Sequence, residues 1–200
     1  MPARVIVIAG PSGSGKSRLS GKLGLPVLNL DDFYKDGDDP TLPRIDLPGG
    51  EPIVDWDHPG SWLAEDAVAT IEKLCTGGSA HVPVYDISRS TRVGHRVLEL
   101  GEARHFVAEG IFAQRVVSPC RERDLLGDAV CLGRNAALTF ALRLSRDLRE
   151  HRKPPWVLVR RGVHLMWKQQ AVVSEAAALG CRVVGMQRAY AELSAAATLV

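Results

Sequence analysis

The sequence predicts an α/β fold in which a mainly parallel sheet is covered by helices on both faces. Three observations carry that prediction. Short apolar runs alternate with helix-like runs along the chain, the order that builds parallel sheets. The first run, residues 5–9, is aliphatic throughout, as a strand buried on both faces should be. That run then breaks into a glycine-rich loop before helical spacing begins, and ligands of such sheets gather beyond the C-terminal strand ends.

Taken in order, residues 5–9 read as a buried strand and 14–23 as a helix stopped by Gly24. Residues 27–30 are a short strand. Residues 35–60 hold five prolines and no periodicity over 26 residues; a loop beyond about 12–15 residues is usually functional or disordered. In 61–75, Leu63, Ala67, Ile71, Leu74 and Cys75 recur near helical spacing, with Ser61 as N-cap and Gly77–Gly78 as the stop. Residues 81–85 and 96–100 pair as an antiparallel excursion. Residues 105–108 form another strand, followed by Glu109–Gly110, and 129–132 a further one. Asn135 caps a helix through about Glu150, Pro154–Pro155 interrupts, and 156–179 is helical again. A last strand at 181–185 and a helix at 188–196 close the chain.

Composition bounds the function. A hydrophobic fraction of 46% and a charged fraction of 24% suit a globular protein with a sizeable core. A net charge of +2 supplies no bulk field to draw nucleic acid or a membrane surface. Cys75, Cys120, Cys131 and Cys181 are scattered with no CxxC pair, which argues against a zinc site or a disulfide framework and for a reducing compartment. With no signal peptide and no apolar run of about 20 residues, the sequence predicts a cytoplasmic protein.

The loop is Gly10-Pro11-Ser12-Gly13-Ser14-Gly15-Lys16-Ser17, a full match to G-x-x-x-x-G-K-[ST]. Its glycines allow close backbone approach, and successive N–H groups make a concave anion site. Lys16 supplies a point charge for the outer phosphates, and the Ser17 hydroxyl can ligate Mg²⁺. A nucleoside triphosphate is therefore expected. No N-K-x-D guanine reader accompanies the loop.

Asp31, in Asn29-Leu-Asp-Asp-Phe-Tyr34, falls at the next strand's end, where a carboxylate can take the proton of an attacking hydroxyl. Asp31 and Asp32 are ambiguous as a pair: side chains at i and i+1 diverge, so only one of them is expected to face the site. Asp57 and His58 precede a helix start. Tyr85 and Asp86 stand at a strand end, with Arg89 and Arg92 following. Glu109 ends a strand where an acid can hold a water on Mg²⁺. In residues 143–153, Arg143 and Arg146 share one helix face and Arg152 and Lys153 extend the positive patch. Such a basic segment can close over a transferring phosphoryl group and exclude water; a solvated helix face with Asp147 and Glu150 is the alternative.

This ordered series resembles the uridine kinase family, within the P-loop kinases that include phosphoribulokinase and pantothenate kinase. The motifs are GxSGSGKS, D-x-F-Y, D-H-P before a helix, P-x-Y-D followed by S/T-R, E-G-I after a strand, and R-x-x-R-D in a lid helix. They cover roughly residues 5–153. The resemblance implies a P-loop NTPase-type sheet flanked by helices, with a small β-excursion for substrate and a helical basic lid. Residues 1–200 would form one kinase domain, with substrate insertions at about 35–60 and 80–100 and a lid at about 143–160. It implies ATP- or GTP-dependent, Mg²⁺-assisted phosphorylation of a pyrimidine nucleoside 5′-hydroxyl. By the same resemblance, Asp31 is the base and Tyr34 lines the nucleoside site. Asp57 holds the ribose hydroxyls, while Tyr85, Trp56 and Arg92 contact the acceptor. Arg143, Arg146 and Arg152 contact ribose and phosphate. Ser17, Glu109 and Asp31 serve the metal, Asp31 through water.

Departures from the family pattern gather on base recognition. Ser90 stands where the family has a base-reading histidine, Asp32 replaces a serine, and the lid's E-R-G-R is Glu150-His151-Arg152-Lys153. Two other readings stay open: a kinase of another small alcohol, such as a sugar, a vitamin or another nucleoside, and a nucleotide-binding regulatory module without activity. A small-molecule partner is expected and nucleic acid is not; homo-oligomerisation is left open.

Overall fold

The computed structural model describes residues 2–46, 51–133 and 170–198. The lid expected at 143–160, with Arg143, Arg146 and Arg152 and the helix capped by Asn135, lies outside the described residues. Strands β1 (Arg4–Ala9), β2 (Val27–Asn29), β7 (His105–Glu109), β8 (Leu126–Leu132) and β9 (Arg182–Val184) form one parallel sheet in the order β2-β7-β1-β8-β9. Two small antiparallel pairs flank it. One joins β3 (Arg44–Ile45) to β4 (Ile53–Val54), and the other joins β5 (Ser79–Asp86) to β6 (Thr91–Glu99).

The alternation in β1 divides the core into two layers. Val5, Val7 and Ala9 face helices α2 (Ala64–Gly77) and α3 (Val117–Glu122), where Ile71, Leu74, Val117 and Cys120 join them. Ile6 and Ile8 face helices α1 (Lys16–Leu23) and α4 (Met186–Thr198), against Leu19 and Leu193. Each of these side chains is buried, and full burial of one such aliphatic side chain is worth about 1.5–3 kcal/mol. Residues with a two-residue period thus make β1 the centre of the molecule.

Several elements differ from the sequence expectation for physical reasons. Helix α1 begins at Lys16 rather than Ser14, because Gly13 and Gly15 adopt φ of 75° and 100° and hold the loop out of the helix. Helix α2 begins at Ala64, and Ser61 does not cap it. Ser61 instead sits in a 3-10 turn, Pro59–Ser61, and its hydroxyl donates to the carbonyls of His58 and Trp56. The turn is capped by His58, whose Nδ1 accepts from the Gly60 N–H at 2.9 Å. Helix α3 was not anticipated: it is six residues long and contains Pro119, too short for periodicity to show. Strand β2 ends at Asn29, and Leu30–Phe33 winds into a 3-10 turn that carries Asp31. The expected hairpin is present and longer than its apolar runs, with His81 opposite Val97 and Asp86 opposite Thr91. Pro83 is accommodated because this ribbon has only two strands.

All four cysteines are free and buried. Among the described residues no helix is long and apolar enough to cross a membrane.

Candidate functional site

The glycine loop emerges from the C-terminal end of β1, at the middle of the sheet. Gly10 has φ of 143°, and a Cβ there would meet the Ser14 hydroxyl at 2.9 Å and the Leu132 carbonyl at 3.1 Å. The loop is drawn tight by Ser14 N–H donating to the Pro11 carbonyl at 3.1 Å. Lys16 folds across it, its Nζ donating to the carbonyls of Gly10 at 2.9 Å and Pro11 at 3.4 Å. Burial pushes the Lys16 pKa down, while the Asp31 and Glu109 carboxylates pull it up. Ser12 and Ser17 are exposed, whereas the Ser14 hydroxyl is buried with no hydrogen-bond partner among the described residues. Leaving a buried hydroxyl unsatisfied costs about 1–3 kcal/mol. An unpartnered hydroxyl in a loop that a single Cβ at Gly10 would crowd fits an anionic polyphosphate.

Two acids stand beside the loop. In the sheet, Glu109 lies between Ile8 of β1 and Asn29 of β2. It is buried, which raises its pKa; hydrogen bonding from Ser17 and the charge of Lys16 oppose the rise. Asp31 follows β2 in the 3-10 turn. Its N–H donates to the Asn29 side-chain oxygen at 3.2 Å, and its own Oδ1 accepts from the Ile111 N–H at 2.8 Å. Asp32 turns the other way, and its Oδ1 accepts from the Tyr85 N–H at 3.3 Å. Burial raises the Asp32 pKa against that backbone bond. Lys16, Ser17, Asp31 and Glu109 therefore converge, although they come from three separate segments. Ser17, Glu109 and Asp31 could offer oxygen ligands to Mg²⁺, a cation that uses few protein ligands and keeps several waters.

Beyond Asp31 lies an aromatic cluster. The Tyr34 ring contacts Trp56 edge-on at 5.7 Å, Tyr85 at 5.9 Å and Phe112 at 6.0 Å between centroids. Both phenols are anchored to backbone: Tyr34 Oη donates to the Trp56 carbonyl at 3.3 Å, and Tyr85 Oη to the Lys35 carbonyl at 3.0 Å. Burial pushes the Tyr34 pKa up, and the Asp31 and Asp57 carboxylates push it further. Arg92 lines an adjoining cavity of about 370 Å³ with Lys35, Asp36 and Leu63. Its N–H donates to Asp36 Oδ1 at 2.5 Å, and its Nε is buried with no partner among the described residues. Ser90 is a turn residue with φ of 50°, and its carbonyl accepts from the Gly37 N–H at 2.6 Å.

Phe112 and the Ile111 N–H were missed from sequence. The E-G-I motif was visible, but nothing in a linear pattern shows that its third amide reaches Asp31. Met186 was missed too: its methyl lies where a side chain on Gly15 would go.

Trp62 supports the Asp31 turn from below. It is buried, its ring lies tilted at 40° to Phe112 with centroids 5.7 Å apart, and it donates Nε1–H to the Leu30 carbonyl at 2.8 Å. Trp62→Phe should lower unfolding stability by about 1–3 kcal/mol through the orphaned carbonyl, measured by urea denaturation. An unchanged midpoint would show that the carbonyl finds another partner.

No protein-family model matches the chain. A uridine kinase of Deinococcus deserti is 30% identical over 165 residues, covering 78% of this chain and 74% of its own length. The chain belongs to the uridine kinase family. A second uridine kinase, from Macrococcus caseolyticus, is 28% identical over 153 residues, 73% of this chain and 69% of its own. The inorganic pyrophosphatase TTM1 of Arabidopsis thaliana is 26% identical over 162 residues, but the match spans only 23% of that longer protein. Among solved structures, a protein provisionally assigned as a fructose transport system kinase of Silicibacter sp. TM1040 superposes with a TM-score of 0.56. It is 19% identical and covers 92% of this chain and 88% of its own, a likeness of fold. The expected family and fold class, a P-loop kinase sheet flanked by helices, thus hold for this uridine kinase relative.

Proposed function

We propose that this member of the uridine kinase family transfers the γ-phosphoryl group of ATP or GTP to the 5′-hydroxyl of a pyrimidine nucleoside, with Mg²⁺. The observation that carries the reading is the Asp31 carboxylate, tied to the end of β7 and electrostatically coupled to Lys16. A bound nucleotide–Mg²⁺ complex would supply the phosphoryl group and neutralise its charge. The loop from Gly10 to Ser17 orients the triphosphate, and Lys16 offsets its outer charge. Ser17 and Glu109 would hold the cation and its waters. Asp31 accepts the hydroxyl proton as that oxygen bonds to the γ-phosphorus and the bond to the β–γ bridging oxygen breaks. Tyr34, Trp56, Tyr85 and Phe112 exclude water beside the acceptor, Asp57 holds its vicinal hydroxyls, and Arg92 faces its polar rim. Arg143, Arg146 and Arg152 belong to this reading as phosphate and ribose contacts. In this reading the chain is one cytoplasmic kinase domain acting on a small-molecule substrate.

A second reading, a kinase of another small alcohol, draws on Ser90. A serine held in the left-handed region by its turn replaces the expected base reader. An acceptor panel with labelled ATP separates the two. Uridine and cytidine should yield monophosphates; a labelled sugar or vitamin with no labelled nucleotide product would favour the second reading. ATP binding with no acceptor turned over would favour a regulatory module.

A further inference from the structure

We propose that Gly110, with the amide that follows it, is a positioning element for Asp31; this rests on the reading of Asp31 as the acceptor's base. The Ile111 N–H reaches Asp31 Oδ1 at 2.8 Å. A Cβ on Gly110 would stand 2.7 Å from that same oxygen, 2.9 Å from Leu30 Cβ and 3.2 Å from the Asp31 nitrogen. Gly110 is not among the positive-φ glycines. Its glycine requirement is therefore one of space, created by the Asp31 turn pressing onto the end of β7.

This contact does two things. It engages Oδ1 with a fixed backbone donor, and Oδ2 is the oxygen we assign to receive the proton. It also fixes the direction of Oδ2, because the Asn29 side chain holds the Asp31 N–H from the other end at 3.2 Å. The β2–β7 pairing, with Asn29 opposite Glu109, keeps both anchors in register. A run of four residues, Glu109-Gly110-Ile111-Phe112, thus carries the buried acid beside Ser17, the gap and the donor for Asp31, and one wall of the aromatic cluster. One short stretch of backbone thus sets how Glu109 and Asp31 stand relative to each other.

The test is a double-mutant cycle of Gly110→Ala with Asp31→Asn under saturating ATP and acceptor. Gly110→Ala alone should lower kcat by about 10²-fold, the scale of a small misplacement of a reacting group, with KM for ATP changed by less than about twofold. In the Asp31→Asn background the same substitution should change the residual kcat by less than about twofold. A second variant replaces Ile111 with its α-hydroxy acid, so that an ester removes only the N–H; kcat should fall about 10-fold, the scale of a lost bond to a charged group. An equal loss from Gly110→Ala in both backgrounds would reduce Gly110 to a packing residue, as would wild-type kcat in the ester variant. If Gly110→Ala does not fold, the ester variant decides. Wild-type turnover in Asp31→Asn would instead remove the base assignment itself, a separate outcome.

Discussion

Asp31→Asn should leave nucleotide binding intact and lower turnover by about 10²-fold or more. Asparagine keeps the shape of the side chain, and its carbonyl oxygen can still accept from the Ile111 N–H that now holds Oδ1. The 3-10 turn, the Asn29 cap and the contact with Gly110 should therefore persist, and unfolding stability should change little. What disappears is the site that receives the acceptor's proton. Single-turnover transfer from labelled ATP, measured beside equilibrium nucleotide binding, separates the two effects. Turnover equal to wild type would take Asp31 out of the role of base and leave the loop's assignment standing.

Lys16→Ala should behave differently, losing nucleotide engagement and transfer together, with kcat/KM down by about 10²–10³-fold. The ammonium is folded onto the Gly10 and Pro11 carbonyls, and its charge is balanced between the cost of burial and two nearby carboxylates. An incoming triphosphate would replace those carbonyl contacts with phosphate oxygens. Without the lysine, Asp31 and Glu109 present uncompensated negative charge to the outer phosphates. A Lys16→Ala protein that binds and turns over ATP as wild type does would reject the assignment of residues 10–17 as the triphosphate cradle.

Local chemistry explains which parts of this site could be read in the sequence. The strand–loop–helix at residues 4–23 was legible because each step is local: an unbroken aliphatic run, a glycine-rich loop, and a helix stopped at Gly24. Asp31 and Glu109 were legible as strand-end acids, since parallel strands deliver their C-terminal ends to one edge. That Asp31 and Asp32 diverge followed from adjacency; which of them faces the loop came only from the structure. Long-range contacts were not legible. Nothing near residue 111 announces that its amide reaches residue 31, and nothing near Ser61 shows that Trp56 and His58 will claim its hydroxyl in place of the helix end. Helix α3 escaped because a six-residue helix with a proline carries no readable period. The two-residue strands β3 and β4 escaped for a similar reason, inside a loop read as aperiodic.

Transfer in this reading needs a hydroxyl of the acceptor to meet Asp31 Oδ2 while the triphosphate occupies residues 10–17. The most direct measurement is a crystal structure of the protein with uridine and a non-hydrolysable ATP analogue. The expected result is Asp31 Oδ2 at about 2.6–3.2 Å from the nucleoside O5′, with that oxygen facing the γ-phosphorus and Lys16 on the outer phosphates. A complex in which O5′ contacts another group and the Asp31 carboxylate faces away from the nucleotide would contradict it.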